Sequence, residues 1–289
     1  MTSPRPQGEL TVERMCALAG VSRAGYYRFL GPAKVKQEEM ELRSKIQKIA
    51  LEWPVYGYRR VQRALMRRGW RVNRKRVLRL MRVDNLLCLR KRKFIRTTDS
   101  KHALPVYPNL AKDMVLTGIN QLWVADITYI RLETEFVFLA VVLDAFSRRC
   151  IGWALQRSFE AGLVLEALHM ALRQRRPQPG LVHHSDRGVQ YASKDYTKQL
   201  ECYGIRISMS RRGNPYDNAL AESFIKTLKY EEVYRTEYRD LADAKALMKG
   251  FLEKIYNRKR LHSALGYRPP REFEQSLSLS ARRARGAAA

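Results

Sequence analysis

Cysteine is scarce and scattered. Cys16, Cys88, Cys150 and Cys202 are the only four in 289 residues, with no CxxC pair and no histidine at zinc-ligand spacing. That pattern argues against a cysteine-built zinc module and a disulfide framework, and it suits a reducing compartment. Long apolar runs are missing too: the longest, Phe136 to Leu143, is far below the roughly 20 residues a membrane-spanning helix needs. The first residues, MTSPRPQGEL, hold no apolar core of a secretory signal, so a cytoplasmic protein is expected. Acidic residues are the third shortage, 28 against 55 Lys and Arg, for a net charge of +27. Such an excess favours a polyanionic partner, through phosphate neutralisation and counterion release. It is concentrated at one end: residues 1 to 105 carry a net +18 and the remaining 184 only +9. An anionic lipid surface would answer the charge alone, but its clustering within paired short helices favours nucleic acid.

Those helices come first in the chain. In TVERMCALAGVSRAGYYRFL, residues 11 to 30, Val12, Met15, Cys16 and Leu18 make one apolar face. Gly20 supplies a turn, Ser22 can cap a second helix, and Tyr26, Tyr27 and Leu30 pack back. This is a helix-turn-helix pattern for a segment 1–31, with a plain helical hairpin as the alternative. A second segment, 38–95, opens with a helix carrying Leu42, Ile46 and Ile49 and ended before Pro54. The stretch YGYRRVQRALMRRGW follows with Val61, Leu65 and Met66 expected inward and Arg59, Arg60, Arg63 and Arg67 outward. After Gly69, Asn73 can cap RKRVLRLMRVDN, whose packing face is Val77, Leu80 and Met81. Arg74, Lys75, Arg76 and Arg79 of that helix join Arg59, Arg60 and Arg63 as expected DNA contacts. Residues 56 to 101 hold 17 Lys or Arg and only Asp84 and Asp99 as acids, so two cationic helices and then LRKRK read as a second DNA-binding helix-turn-helix.

Residues 96–118, with Pro105 and Pro108, read as a linker. From Gln121 the pattern changes to apolar, β-branched and aromatic runs: QLWVADITYI, EFVFLAVVLDAF and CIGWALQ, three strands expected to be antiparallel neighbours. A helix, a strand (LVHHS), a helix, a strand (IRISMS) and a further helix follow. That order predicts an α/β layered domain over 119–235. A C-terminal helix and tail of the core are expected over 236–275, with Leu241, Ala244, Met248, Phe251 and Ile255 facing one way, then a disordered tail over 276–289.

Three carboxylates stand out. Asp126 lies inside an apolar strand, where an unpaired charge is expensive unless it is paired, protonated or on a metal. Asp186 directly follows a strand, where α/β domains gather functional groups. Glu222 belongs to an amphipathic helix for which Asp217 is the expected N-cap. On that helix Asn218, Glu222, Lys226 and Lys229 share a polar face, spaced by four, four and three residues. An ordinary exposed Glu–Lys pair would explain Glu222 and Lys226 alone. Asp144 is expected to pair with Arg148 or Arg149 or to support its turn. His183, His184 and His262 are expected to be structural.

The segments WVADITYI, LDAFSRRCIGW, HSDRGVQYAS, GNPYDNALAESFIKTLKYE and YNRKRLHSALGYRPPREF, in this order, resemble the catalytic half of bacterial insertion-sequence transposases of group three. VSRAGYYR and YGYRRV resemble the N-terminal part of the same proteins, so the resemblance spans nearly the whole chain. It implies a ribonuclease H-like fold, a five-stranded mixed sheet with helices as in the retroviral integrase core, preceded by helix-turn-helix modules. It also implies a DDE metal triad of Asp126, Asp186 and Glu222. The 35 residues between Asp186 and Glu222 match the family's spacing. Lys226 and Lys229 fall where such enzymes place DNA-contacting lysines. The implied chemistry is nicking and strand transfer of double-stranded DNA with Mg²⁺, two ions with Mn²⁺ able to substitute, through a circular intermediate. The implied setting is a bacterial cytoplasm, associated with the nucleoid. Implied partners are further copies on DNA and the product of an upstream reading frame, present separately or as a frameshift fusion. A non-catalytic DNA-binding regulator and a structure-directed nuclease on the same fold remain the alternatives.

Overall fold

Branched and aromatic side chains alternating with a two-residue period favour strands, and the computed structural model forms three of them from the runs that begin at Leu122. It describes residues 11–30, 37–88, 105–211 and 215–286. The chain divides into two units, Met1–Leu87 and Cys88–Ala289.

In the first unit, Thr11 caps helix α1 (Val12–Leu18) by accepting from the Arg14 N–H at 3.3 Å. Ser22 does the same for α2 (Arg23–Leu30), its Oγ accepting from the Gly25 N–H at 3.0 Å. The side chains of Arg28 and Leu30, and residues 31–36, lie outside the described residues. Three further helices, α3 (Gln37–Glu52), α4 (Tyr58–Arg67) and α5 (Arg74–Val83), bury Leu42, Ile46, Ile49, Val77, Leu80 and Met81 as the periodicity expects. Asn73 caps α5 by accepting from the Lys75 N–H at 2.8 Å. On α4 the inward set is Val61, Ala64 and Leu65, whereas Met66 is exposed. This corrects the expected face: i, i+3 and i+4 complete the stripe, and the next residue turns about 100° away from it. Arg43 pairs with Asp84, and Arg68 with Glu52 at 2.7 Å, tying the three helices at their ends. The run LRKRK and the linker as far as residue 104 lie outside the described residues.

In the second unit β1 (Leu122–Arg131), β2 (Phe136–Asp144) and β3 (Cys150–Gln156) are antiparallel neighbours. Strands β4 (Val182–Ser185) and β5 (Arg206–Met209) add in parallel on the other side of β1, giving a five-stranded mixed sheet ordered β3-β2-β1-β4-β5. Leu122 and Val124 face a core closed by α8 (Ala219–Glu231) and α9 (Leu241–Lys249), through Ala221, Phe224, Leu228, Ala244 and Met248. Trp123 and Ala125 face the opposite core, closed by α6 (Ala161–Arg175) and α7 (Lys194–Cys202). Helix α6 approaches β3 so closely that a Cβ on Gly152 would collide with the Ala167 carbonyl oxygen and stand 3.0 Å from the Ala171 Cβ. Among the described residues no helix is long and apolar enough to cross a membrane.

The C-terminal part departs from the expected single helix. After α9 the backbone widens into a π-helical segment, Gly250–Tyr256, which buries Phe251, Leu252 and Tyr256 and leaves Ile255 half-buried. The wider turn delivers Asn257 onto β3: its Oδ1 accepts from the Cys150 N–H at 3.0 Å and its Nδ2 donates to the Cys150 carbonyl at 2.8 Å. The expectation of a structureless tail is corrected over 276–286, which continue helix α10 (Pro270–Gly286). Glu274 anchors α10, pairing with Arg175 and with Arg149 (2.6 Å) and accepting from Ser147 Oγ at 2.7 Å. Asp144 is fully buried beneath this network and supports the turn, accepting from the N–H groups of Asn120 (2.7 Å) and Ser147 (2.8 Å).

Gly152→Ala should lower the unfolding free energy by about 1–3 kcal/mol, the usual cost of overpacking. Chemical denaturation of the full chain measures it, and wild-type stability would mean α6 can withdraw freely. Burial alone would raise the Glu274 carboxyl, but Arg175, Ser147 and Arg149 outweigh it and hold it below its ordinary 4.5. Its stabilisation is therefore complete above that value and is lost as pH falls through the lowered one. Glu274→Gln should flatten the acid limb of the stability profile, read as denaturation midpoints from neutral pH downward.

Candidate functional site

Parallel pairing sets the first two acids level. Leu122 stands opposite Val182, Trp123 opposite His183 and Val124 opposite His184, so two residues further on Asp126 and Asp186 are neighbours across a gap of about 4.8 Å between strands. The two-residue period puts Asp126 on the side of Leu122 and Val124, which α8 covers. Glu222 stands in the first turn of that helix and is exposed. All three charges meet at one carboxyl. Burial first, then the charge of Asp186 and that of Glu222, push Asp126 up to about 8, against the opposing Ile127 N–H and Lys229. The Ile127 N–H donates to Asp126 Oδ1 at 2.9 Å. Partial burial raises Glu222 as well.

The loop after β4 holds Asp186 from behind. The Gly188 N–H donates to Asp186 Oδ1 at 3.0 Å, and a Cβ on Gly188 would stand 3.1 Å from that oxygen. Arg187 Nε donates to the Ser210 carbonyl at 2.8 Å, and the Ser210 N–H to the Ser185 carbonyl at 2.9 Å, fastening the loop to the end of β5. Asp217 is not the cap of α8. Its carboxylate accepts from the Arg211 N–H (2.9 Å) and Nε (3.1 Å) and is held down to about 2, chiefly by that arginine. A 3-10 turn, Pro215–Asn218, leads into the helix instead. Asn218 is also displaced from the expected polar face. Only 6% exposed, it directs Nδ2 toward the Ala125 carbonyl at 3.4 Å and leaves Oδ1 buried without a partner. The expected polar face is corrected in this respect: Glu222 and Lys226 are exposed on α8, whereas Asn218, at the end of the 3-10 turn, is buried.

Lys226 is exposed. Lys229 is half-buried, its Nζ 4.3 Å from the centre of the Tyr129 ring, and burial lowers its pKa while Asp126 opposes that. It therefore stands beside the carboxylates rather than further along the helix. Both adjacent histidines are buried and bonded within the core. His183 Nε2 meets the Tyr196 hydroxyl at 3.0 Å and burial pushes its pKa down to about 3, while His184 Nδ1 meets Ser208 Oγ at 2.7 Å. His262 packs edge-on against Tyr256, ring centres 4.9 Å apart.

Two integrase core domain families match residues 117–215 and 203–270, and an HTH-like domain family matches residues 36–94. The chain is 41% identical over 266 residues to an uncharacterized 31 kDa protein of insertion element IS600 from Shigella sonnei, covering 90% of this chain and 97% of that one. It is 37% identical to the transposase of element IS904 from Lactococcus lactis, covering 84% and 97%. Against transposase InsF of IS3A from Escherichia coli the identity is 35%, covering 93% and 95%. The chain belongs to the IS3 family of insertion-sequence transposases. Its sheet and helices are the integrase core of that family, and the HTH-like domain is the DNA-binding part.

The donor set of this transposase core suits a hard divalent cation. Two aspartates and a glutamate offer only oxygens, which Mg²⁺ accepts while keeping water and phosphate oxygens in the rest of its shell. A carboxyl pushed up by burial first, and then by two like charges, gains when a cation arrives. Among the described residues no three His, Cys, Asp or Glu side chains stand close enough to enclose an ion as they are. Sequence reasoning missed Gly188 and Tyr191 as neighbours of the acids, although both lie within five residues of Asp186 in HSDRGVQYAS. The Asp-x-Gly spacing was the available signal.

The basic residues of the HTH-like domain differ in what already holds them. Arg59 and Arg63 are exposed on α4, whereas Arg60 is half-buried with its guanidinium 5.5 Å from the centre of the Tyr56 ring. Arg76 and Arg79 on α5 reach back to the first turn of α3, pairing with Glu38 (3.2 Å) and Glu39 (3.2 Å) respectively. Arg74 and Lys75 are exposed, with no acid bonded to either among the described residues. Lys75→Ala should therefore lower the slope of log affinity against log salt by about one. Arg79→Ala should change it less, because phosphate must first displace Glu39. Duplex binding across a potassium chloride series measures both, and equal slopes for the two variants would show that Glu39 does not compete.

Proposed function

We propose that this transposase binds the ends of its insertion element, cuts one strand at each and transfers the freed end, with Asp126, Asp186 and Glu222 as the acids of the reaction. The observation that carries the reading is Asp126, an acid inside an apolar strand that feels the charges of Asp186 and Glu222, in the integrase core of a strongly basic protein. When bound, two Mg²⁺ ions, or Mn²⁺ in their place, supply Lewis acidity at the attacking and leaving oxygens of an in-line displacement. The chain's own residues hold and orient. Asp126 and Asp186 offer oxygens from adjacent strands, fixed by Ile127 and Gly188 N–H groups, and Glu222 closes from the covering helix. Lys229 beside them, and Lys226 on the exposed side, present positive charge to the phosphodiester backbone. In the first step a water oxygen bonds to phosphorus and the P–O3′ bond breaks, leaving a 3′-OH on the element. In the second that 3′ oxygen bonds to another phosphorus, whose own P–O3′ bond breaks, so the number of phosphodiesters is conserved and no ATP is needed. The HTH-like domain selects the element ends, and two ends require at least two copies of the chain, alone or with the upstream-frame product.

Asp126→Asn, Asp186→Asn and Glu222→Gln should each abolish joining of end oligonucleotides in Mg²⁺ while leaving end binding at wild-type affinity. Gel assays of binding and of joined product separate the two. Joining at the wild-type rate by any one variant would remove that residue from the chemistry. Cleavage without joining by the unaltered chain would make it a nuclease, and binding without either would make it a regulator.

A further inference from the structure

Tyr191 is 2% exposed, and its hydroxyl has no hydrogen-bond partner among the described residues. A buried hydroxyl without a partner is costly, and folded proteins retain few of them. Packing does not account for it. The ring lies edge-on to Tyr196, centres 5.4 Å apart, and 6.4 Å from the His183 ring, contacts that phenylalanine would make equally well. Tyr196 is the contrast, because its hydroxyl has a structural duty on His183 Nε2 at 3.0 Å.

The place of the ring is informative. Tyr191 donates its backbone N–H to the Gly188 carbonyl at 3.0 Å. The point a Gly188 Cβ would occupy lies 3.7 Å from Tyr191 Cδ2 and 3.1 Å from Asp186 Oδ1, so the edge of the Tyr191 ring and the carboxylate flank the same glycine. Burial, then Tyr196, Asp126 and Asp186, raise the phenol well above its ordinary value. It therefore stays an uncharged O–H donor wherever the protein works. A neutral donor suits a cluster of carboxylates that must keep its negative charge for a cation, where a lysine would neutralise it.

We propose that Tyr191 is a positioning residue for the carboxylate pair: once a divalent cation is held, its hydroxyl donates to a carboxylate oxygen of Asp126 or Asp186 that the cation leaves unused. Groups bonded behind metal-binding carboxylates fix their orientation and typically change metal affinity by 10- to 100-fold. The unpartnered hydroxyl is then the empty half of a hydrogen bond that forms when the acids draw in. This rests on the metal-site reading above.

The test is Mn²⁺ binding to the full chain without DNA, followed by electron paramagnetic resonance of the free ion. Tyr191→Phe should raise the half-saturating Mn²⁺ concentration about tenfold, leave the metal-free melting temperature unchanged or higher, and shrink the rise in melting temperature that Mn²⁺ produces. Tyr196→Phe should do the reverse, lowering the melting temperature without changing Mn²⁺ affinity. Wild-type Mn²⁺ affinity in Tyr191→Phe overturns the proposal, as would its failure to fold, which would give the hydroxyl a structural duty. Asp126→Asn runs alongside. If it loses Mn²⁺ while Tyr191→Phe keeps it, only the role of Tyr191 falls; if it keeps Mn²⁺ at wild-type affinity, the metal-site reading falls and takes this proposal with it.

Discussion

The short parallel ladder between β1 and β4 is the constraint on which the site depends. Three registered pairs, Leu122–Val182 to Val124–His184, leave no freedom in where Asp126 and Asp186 stand relative to each other. A slip of one residue would turn one of the two acids to the opposite face, because side chains alternate. The ladder is itself held from both sides. Trp123 locks into the core under α6 and α7, and Leu122 and Val124 into the core under α8 and α9. Helix α8 then has only one way to lie on the sheet, with Ala221, Phe224 and Leu228 inward, and Glu222 arrives beside Asp126 as a consequence of packing.

Charge is distributed with the same economy. Several acids of the second unit are engaged by arginines: Glu274 with Arg149 and Arg175, Glu231 with Arg260 at 2.8 Å, Asp217 with Arg211. At the site, burial and then the charges of Asp186 and Glu222 raise the Asp126 carboxyl, against the Ile127 N–H and Lys229. In the HTH-like domain the logic is inverted: acids of α3 hold two of the arginines of α5, and Lys75 is left open.

Much of this was legible before any coordinates. The strands and helices of the core, their order, and the packing residues of α3 and α5 follow from periodicity, because each lies in a long, regular segment. Asp126 was conspicuous as an acid in an apolar strand, and the residues after β4 and within α8 came with it. What periodicity missed was decided by partners distant in sequence. Asp217 looks like a helix cap in every local respect, yet Arg211 claims its carboxylate, and the turn before α8 then carries Asn218 inward. Met66 and Ala64 exchange roles by a single step around α4. The C-terminal helix reads as regular until Gly250, where the wider turn is favoured only because Asn257 finds the Cys150 backbone 107 residues away. Helix α10 hangs on Glu274, whose three partners lie on other elements.

The Asn257 contact reaches beyond local anchoring. Strand β3 is an outer strand of the sheet, and an outer strand offers unpaired N–H and carbonyl groups to any extended chain that comes near. The Asn257 amide matches one residue's worth of such a partner, occupying both backbone groups of Cys150. At the other margin β5 is only four residues long, too short to template a stranger. The sheet thus offers one margin of only four residues and another whose first residue is already taken, which leaves less open backbone for edge-to-edge growth than its five strands suggest.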